Sequence, residues 1–312
     1  MSKVAINNKL SPFTSMAVIA MSAFVSVANA ELKSMGDDEL SEHVGQAMIA
    51  FDTTEGATAA DPSTTRFTMG LNTEFQANID NFEYGNYSTA DTLTSDINVQ
   101  DLSFGSISTD ANISQIDGNT YAVGEIIPFI ANDPYFEITN NGAGELVGFR
   151  IGFNEARGQL SGDFTSLSGN VGMEVVDHSG QSWQTSLLGD DGLTDNTRST
   201  HVGVDAALTG NPASGCTVQT YCYDVAQFKT LDIGERNSVD GSTNVTEDFF
   251  ISIQKEDVSW STSAGSITAG AGAFINLPTS MLIDANTIDI NNGVYGTERV
   301  RTEYIDRGVG LF

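Results

Sequence analysis

The sequence predicts an all-β protein. Three observations predict it. Apolar and polar residues alternate in short runs from Thr64 onward, the period of a half-buried strand. Thr, Ser, Asn, Asp and Gly fill the gaps between runs, with Asn141-Gly142, Asp191-Gly192, Asp240-Gly241 and Asn292-Gly293 at turn positions. Apolar spacing at the helical period occurs once, near the start.

The first element is that start. Lys3 and Lys9 precede an uncharged run from Met16 to Val27, followed by Ala28-Asn29-Ala30. A positive region, a short apolar core and an A-x-A site make a secretory signal peptide over residues 1–30. The run is too short to span a bilayer as a mature helix. The expected mature chain begins at Glu31 and is exported across the inner membrane, to the periplasm, the outer-membrane surface or the extracellular space.

Residues 31–50 form a short N-terminal motif. Asp37 is placed to cap a helix whose first turn holds Asp38 and Glu39, where negative charge suits the dipole. Leu40, Val44 and Ala47 fall on one face, and Gly45 weakens the helix or ends it early. Residues 51–66 are rich in Thr, Ala and acid and read as a linker. Leu32–Ile49 is therefore expected to be a tethered interaction element that docks through Leu40, Val44, Ala47 and Ile49 on a partner or on the domain itself. The competing expectation is an ordinary first element packed in the core.

Residues 67–312 are the β domain, as one body or two subdomains. Phe67, Met69 and Leu71 alternate with polar residues, as do Phe75, Ala77 and Ile79, and then Ile97, Val99, Leu102 and Phe104. Further strands are expected at 135–138, 146–153, 171–176, 249–253 and 267–277. The favoured architecture is a sandwich or flattened barrel of long antiparallel strands. The alternative is a β-solenoid, suggested by the similar stretches 158–164 and 166–171, although no fixed period is sustained over three units. Counting back from Phe312 by twos meets Gly310, Gly308 and Asp306, which argues against a final strand facing lipid.

Charge narrows the class. Removing residues 1–30 leaves 11 basic and 41 acidic residues, a net charge of −30. Nothing of that kind neutralises phosphates, so neither nucleic acid nor an anionic lipid surface is an expected partner. No integral membrane helix is expected. Divalent cations remain compatible. The two cysteines, Cys216 and Cys222, are expected to form one local disulfide.

Chemical motifs are few. His43, His178 and His201 show no metal-ligand spacing, and no G-x-S-x-G elbow or phosphate loop is present. No catalytic residue and no cofactor is expected. The weak calcium candidates are Asp190, Asp191 and Asp195 around Gly192, and Asp284 and Asp289 further on; neither has EF-hand spacing. Trp183, Tyr221, Tyr223 and Trp260 are placed either to stack on sugars or to pack in the core.

The segment Leu32-x-x-Met35-x-Asp37-Asp38-Glu39-Leu40-Ser41-x-x-x-Gly45-Gln46-Ala47, directly after a signal peptide, resembles the N-terminal motif of the FilA-like pilus-system proteins, an exported Gram-negative family. Asp133-Pro134-Tyr135-Phe136-Glu137, the stretch 146–153 and the stretch 296–306 are similar to that family's central and final parts. His43-Val44 before Gly45-Gln46 departs mildly from its pattern. The resemblance implies a cell-surface or pilus-associated role, partners among pilus-system or cell-envelope proteins, and an interaction motif at Leu40, Val44, Gly45 and Gln46. It carries over no catalytic residue. The expected function is a non-enzymatic structural or adhesive component of a pilus-like system. The alternative is a secreted carbohydrate-binding or carbohydrate-active β protein.

Overall fold

The computed structural model describes residues 49–55, 62–86, 95–209, 215–216, 221–286 and 296–303. The expected signal peptide, the expected helical motif with Leu40, Val44, Gly45 and Gln46, and Asp289 lie outside the described residues.

The protein is all-β. Its strands in chain order are β1 Ile49–Thr54, β2 Ser63–Met69, β3 Glu74–Phe75, β4 Ala77–Asn86, β5 Ser95–Phe104, β6 Ser106–Ile107, β7 Ile126–Ile127, β8 Phe129–Asn140, β9 Leu146–Ser166, β10 Gly169–Val176 and β11 Ser182–Gln184. There follow β12 Ser186–Leu188, β13 His201–Gly203, β14 Cys222–Asp224, β15 Thr230–Ile233, β16 Glu235–Arg236, β17 Thr243–Asn244, β18 Phe250–Gln254, β19 Val258–Thr262, β20 Gly265–Ala269 and β21 Gly272–Asp284. Among the described residues, helix is limited to single turns at Ala206–Thr209 and Val225–Gln227.

The organising element is β9. At 21 residues it reaches roughly 70 Å at the usual strand rise, too long to serve one flat sheet. Its first half pairs with β8 on one side and β18 on the other; its second half pairs with β5 and β15. β15 and β18 both also pair with β21, so they share the gap between β9 and β21 end to end. β10 closes onto the far side of β21 in parallel register, Gly169 opposite Ile275 and Val176 opposite Asp284. The sheet thus curls on itself into a small closed barrel within a larger antiparallel sheet, the flattened-barrel form of the expectation.

Two cores hold it. The larger gathers Ile97 and Val99 from β5, Leu160 and Phe164 from β9, Val171 and Met173 from β10, Leu231 and Ile233 from β15, and Ile275 and Leu277 from β21. Burying a residue such as Leu or Phe contributes about 1.5–3 kcal/mol, so this cluster dominates stability. The smaller core lies under the β19–β20 hairpin, where Trp260, Val258 and Ala269 cover Val147, Phe250 and Phe274.

Two expectations are corrected. The stretches 158–164 and 166–171 are not stacked solenoid rungs: the first is the end of β9, the second is the corner into β10, and they pair with different strands. Most of the expected linker over 51–66 that is described is strand instead. β1 and β2 form an antiparallel pair from Ile49 opposite Met69 to Thr54 opposite Thr64, and β2 continues onto β8. Ile49 and Ala50 thereby leave the N-terminal motif for the sheet. The Thr-rich composition misled because β-branched Thr suits a strand as well as a linker.

Candidate interaction surface

β1, β2, β8, the first half of β9 and β18 lie side by side, and their register aligns like with like. Phe51 stands opposite Phe67, Phe67 opposite Phe136, Phe136 opposite Ile151 and Ile151 opposite Ile251. The next row brings Ile138, Phe149 and Ile253 together on the same face. Phe51 meets Phe67 edge-on with ring centroids 4.9 Å apart, and Phe67 stacks on Phe136 at 4.8 Å.

This apolar surface is uncovered both at its outer strand and further in, on β9 and β18. Phe51 is 66% exposed, Ile49 65%, Ile151 50% and Ile253 41%. These four side chains alone expose on the order of 400 Å², the size of the largest apolar patch on a typical monomer. Towards β21 the same face passes into the main core: Phe153 and Ile251 pack against it, and Ile275 belongs to it. The patch is a shelf of core that runs out from under its cover. At its inner margin a cavity of about 420 Å³ is lined by Phe149, Ile253, Ala273, Gly85 and Asp96. Burial pushes the Asp96 carboxyl up, against the Ala273 amide and the Arg198 guanidinium, which pull it down.

The opposite face inverts the usual arrangement. Its next row across the strands reads Asp52, Arg66, Glu137, Arg150 and Ser252. Arg150 is 1% exposed, and its Nε donates to Glu137 Oε2 at 2.6 Å while Nη1 donates to the Ser261 carbonyl at 2.9 Å. Arg66 reaches the same carboxylate oxygen at 3.2 Å. The Arg150 guanidinium lies 4.9 Å from the Phe250 ring centroid and 5.0 Å from that of Trp260. The inner charges of this row, Glu137 and Arg150, are buried beside the β19–β20 hairpin, while an apolar row faces solvent.

Among the described residues β1 is also a sheet edge. It ends the strand order, and all six of its residues are exposed. An exposed edge offers backbone N–H and C=O groups to another strand.

The sequence-predicted positions fall elsewhere. Cys216 and Cys222 are bridged, with Cα atoms 5.0 Å apart. The aspartates around Gly192 cap their own turns: Asp191 accepts from the Leu193 amide, Asp195 from the Thr197 amide, and Asp190 lies 3.5 Å from His201 Nδ1. Asp284 accepts from the Asn286 amide. Among the described residues no three His, Cys, Asp or Glu side chains converge to hold a metal ion. His178 faces Asn286, 3.2 Å from its Oδ1, and lies beside Tyr221. Trp260 and Tyr223 are core residues, and the half-buried Trp183 donates its indole N–H to Asp177 at 3.1 Å.

One polar cleft, of about 530 Å³, is lined by Glu174, Glu235, Arg236, Asp248, Asn170 and Asn276 among others, with no aromatic ring in its described lining. Burial, then the charges of Asp248 and Glu247, raises the Glu235 carboxyl above its ordinary range. No described helix is long and apolar enough to cross a membrane.

Sequence reasoning missed the shelf because its strongest element, Phe51, sits in a Thr- and acid-rich stretch. The available signal was Ile49-x-Phe51 matched to Phe67-x-Met69 across a short gap. Comparison with protein-family models, with curated proteins and with solved structures found no match.

Proposed function

We propose that the protein is an exported, non-enzymatic structural or adhesive component of a pilus-like cell-surface system, and that it joins its partners by strand addition at β1. The observation that carries this reading is the coincidence of an exposed edge strand with an aromatic shelf on the same strand. An added strand gains backbone hydrogen bonds from the edge and lays alternate side chains beside Ile49 and Phe51. The signal-peptide pattern, the bridged cysteines and the resemblance to FilA-like proteins support the setting.

The test is genetic and structural together. A host lacking the gene is expected to lose surface fibres or surface adhesion, with the wild-type protein restoring them. The Ile49→Lys/Phe51→Lys variant should be exported, begin at Glu31 and melt normally, yet fail to restore. Normal fibres and adhesion in the null strain, or retention of the protein in the cytoplasm, would sink the reading. The carbohydrate reading keeps one observation, the acidic cleft around Glu235. Binding of a glycan that Glu235→Gln abolishes would favour it instead.

A further inference from the structure

We propose that the strand received by β1 is a basic strand of a foreign chain, added antiparallel. It places a Lys or Arg opposite Asp52 and apolar residues one and three positions later, opposite Phe51 and Ile49. The proposal rests on strand addition at β1 and names the sequence that this edge selects.

The selecting pattern runs across the sheet. β1, β2, β8 and β9 pair antiparallel in turn. Two sequence types alternate among them. β1 carries Ile49-x-Phe51-Asp52 and β8 carries Pro134-x-Phe136-Glu137, two apolar residues and then an acid. β2 carries Arg66-Phe67-x-Met69 and β9 carries Arg150-Ile151-x-Phe153, a base and then two apolar residues. Register makes the types complementary. Asp52, Arg66, Glu137 and Arg150 form one row that changes sign at every step, and Phe51, Phe67, Phe136 and Ile151 form the apolar row beside it. Opposite charges directly across a strand pair stabilise it, and like charges oppose it.

The series stops on an acidic strand. Glu137 is held between two bases, 3.2 Å from Arg66 and 2.6 Å from Arg150. Asp52 occupies the same place on β1 and has Arg66 in register on its inner side only. Its outer side is open among the described residues, and all of β1 is exposed. Arg66 is drawn inward, its guanidinium 4.2 Å from the Tyr135 ring centroid. The strand that continues the series is therefore of the basic type, like β2 and β9.

A second copy does not supply it. β1 contains no Lys or Arg, and β2 and β9 are interior strands. A chain with 41 acidic and 13 basic residues repels its own copies and draws in a basic segment. Main-chain bonds along the edge supply affinity, and Ile49, Phe51 and Asp52 choose the sequence.

The test uses the exported protein, purified, and two fluorescent peptides. One copies the seven residues 63–69, and the other is the same peptide carrying Arg66→Glu. Fluorescence anisotropy should show the first bound about fivefold more tightly than the second. Asp52→Lys in the protein should reverse that order, and Ile49→Lys/Phe51→Lys should lose both peptides. If a variant does not fold, the two peptides on the wild-type chain decide alone. Equal binding of both peptides, lost in Ile49→Lys/Phe51→Lys, would overturn the charge rule and leave strand addition standing. Binding of neither would overturn strand addition at β1 and this proposal with it. A preference for the basic peptide that Asp52→Lys leaves unchanged would belong to the net charge of the chain, and would also overturn the proposal.

Discussion

Replacing Glu137 by Ala should destabilise the fold far more than a surface ion pair would suggest. The carboxylate is 6% exposed and is the acidic partner of Arg150, itself 1% exposed, and of Arg66. Arg66 is a third exposed and can turn to water. Arg150 cannot: it is enclosed by Tyr135, Phe250 and Trp260, and it would keep the neutral Ser261 carbonyl as acceptor but no carboxylate. Stranding a buried charge in this way costs about 3–5 kcal/mol. With an m-value of about 3 kcal/mol/M, the urea midpoint should fall by about 1–1.7 M. Trp260 fluorescence is the natural probe, because its ring lies 5.0 Å from the guanidinium. The double variant Glu137→Leu/Arg150→Met removes both charges and keeps the volume, so it should recover most of the loss. A midpoint for Glu137→Ala within about 0.3 M of wild type, less than about 1 kcal/mol at that slope, would refute the reasoning. A double variant as weak as the single one would show that packing, not the stranded charge, sets the cost.

Three further outcomes are expected. The Ser179 hydroxyl and the Trp183 indole, with backbone amides, hold the Asp177 carboxyl well below the usual carboxylate range. A depressed folded-state pKa gives stability that is complete above the unfolded value, about 3.9, and is lost as pH falls through the folded one; Trp183 fluorescence should therefore hold steady as pH passes about 4 and change only well below it, and Asp177→Asn should remove that change. Gly169→Ala should unfold the β9–β10 corner, since Gly169 has φ of +151° and an added Cβ would strike the Ile275 carbonyl; expression that survives with an unchanged melting temperature would contradict this. Reducing the Cys216–Cys222 bridge, which closes a loop of seven residues, should cost about 2 kcal/mol by chain entropy; calorimetry with and without reductant reads it, and no shift would mean the loop is ordered without the bond.

Strand identity was legible where alternation was clean. β10 shows it, because Val171, Met173 and Val175 meet the main core while Asn170, Gly172 and Glu174 between them are half-buried on the other face. The length of β9 was hidden by its glycines, which read as breaks. In the fold they mark close approaches: a Cβ at Gly158 would strike Phe129, at Gly152 the Tyr135 hydroxyl, and at Gly162 the Val99 side chain. Those contacts come from β5 and β8, distant in sequence, so no local pattern carries them. The shelf was illegible for a related reason. Phe51, Phe67, Phe136 and Ile151 belong to four strands, and only register puts them in one row. The disulfide was legible because its two ends are six residues apart.

The shared gap between β9 and β21 dictates an order of events in time. The first half of β9 must wait for residues 250–254, its second half for residues 230–233, and β10 for its parallel partner at 275–284. No arrangement of the first two hundred residues satisfies those edges. Loop closure over such separations is slow, and parallel pairing slower still than local hairpins. A nascent chain therefore stays incompletely folded until its last quarter has emerged, with the phenylalanines of β2 and β8 open to solvent. Under the proposed export, which threads an unfolded chain through a translocon, that delay is an asset, and it makes the interval between threading and arrival of β21 the period when a holding chaperone matters most.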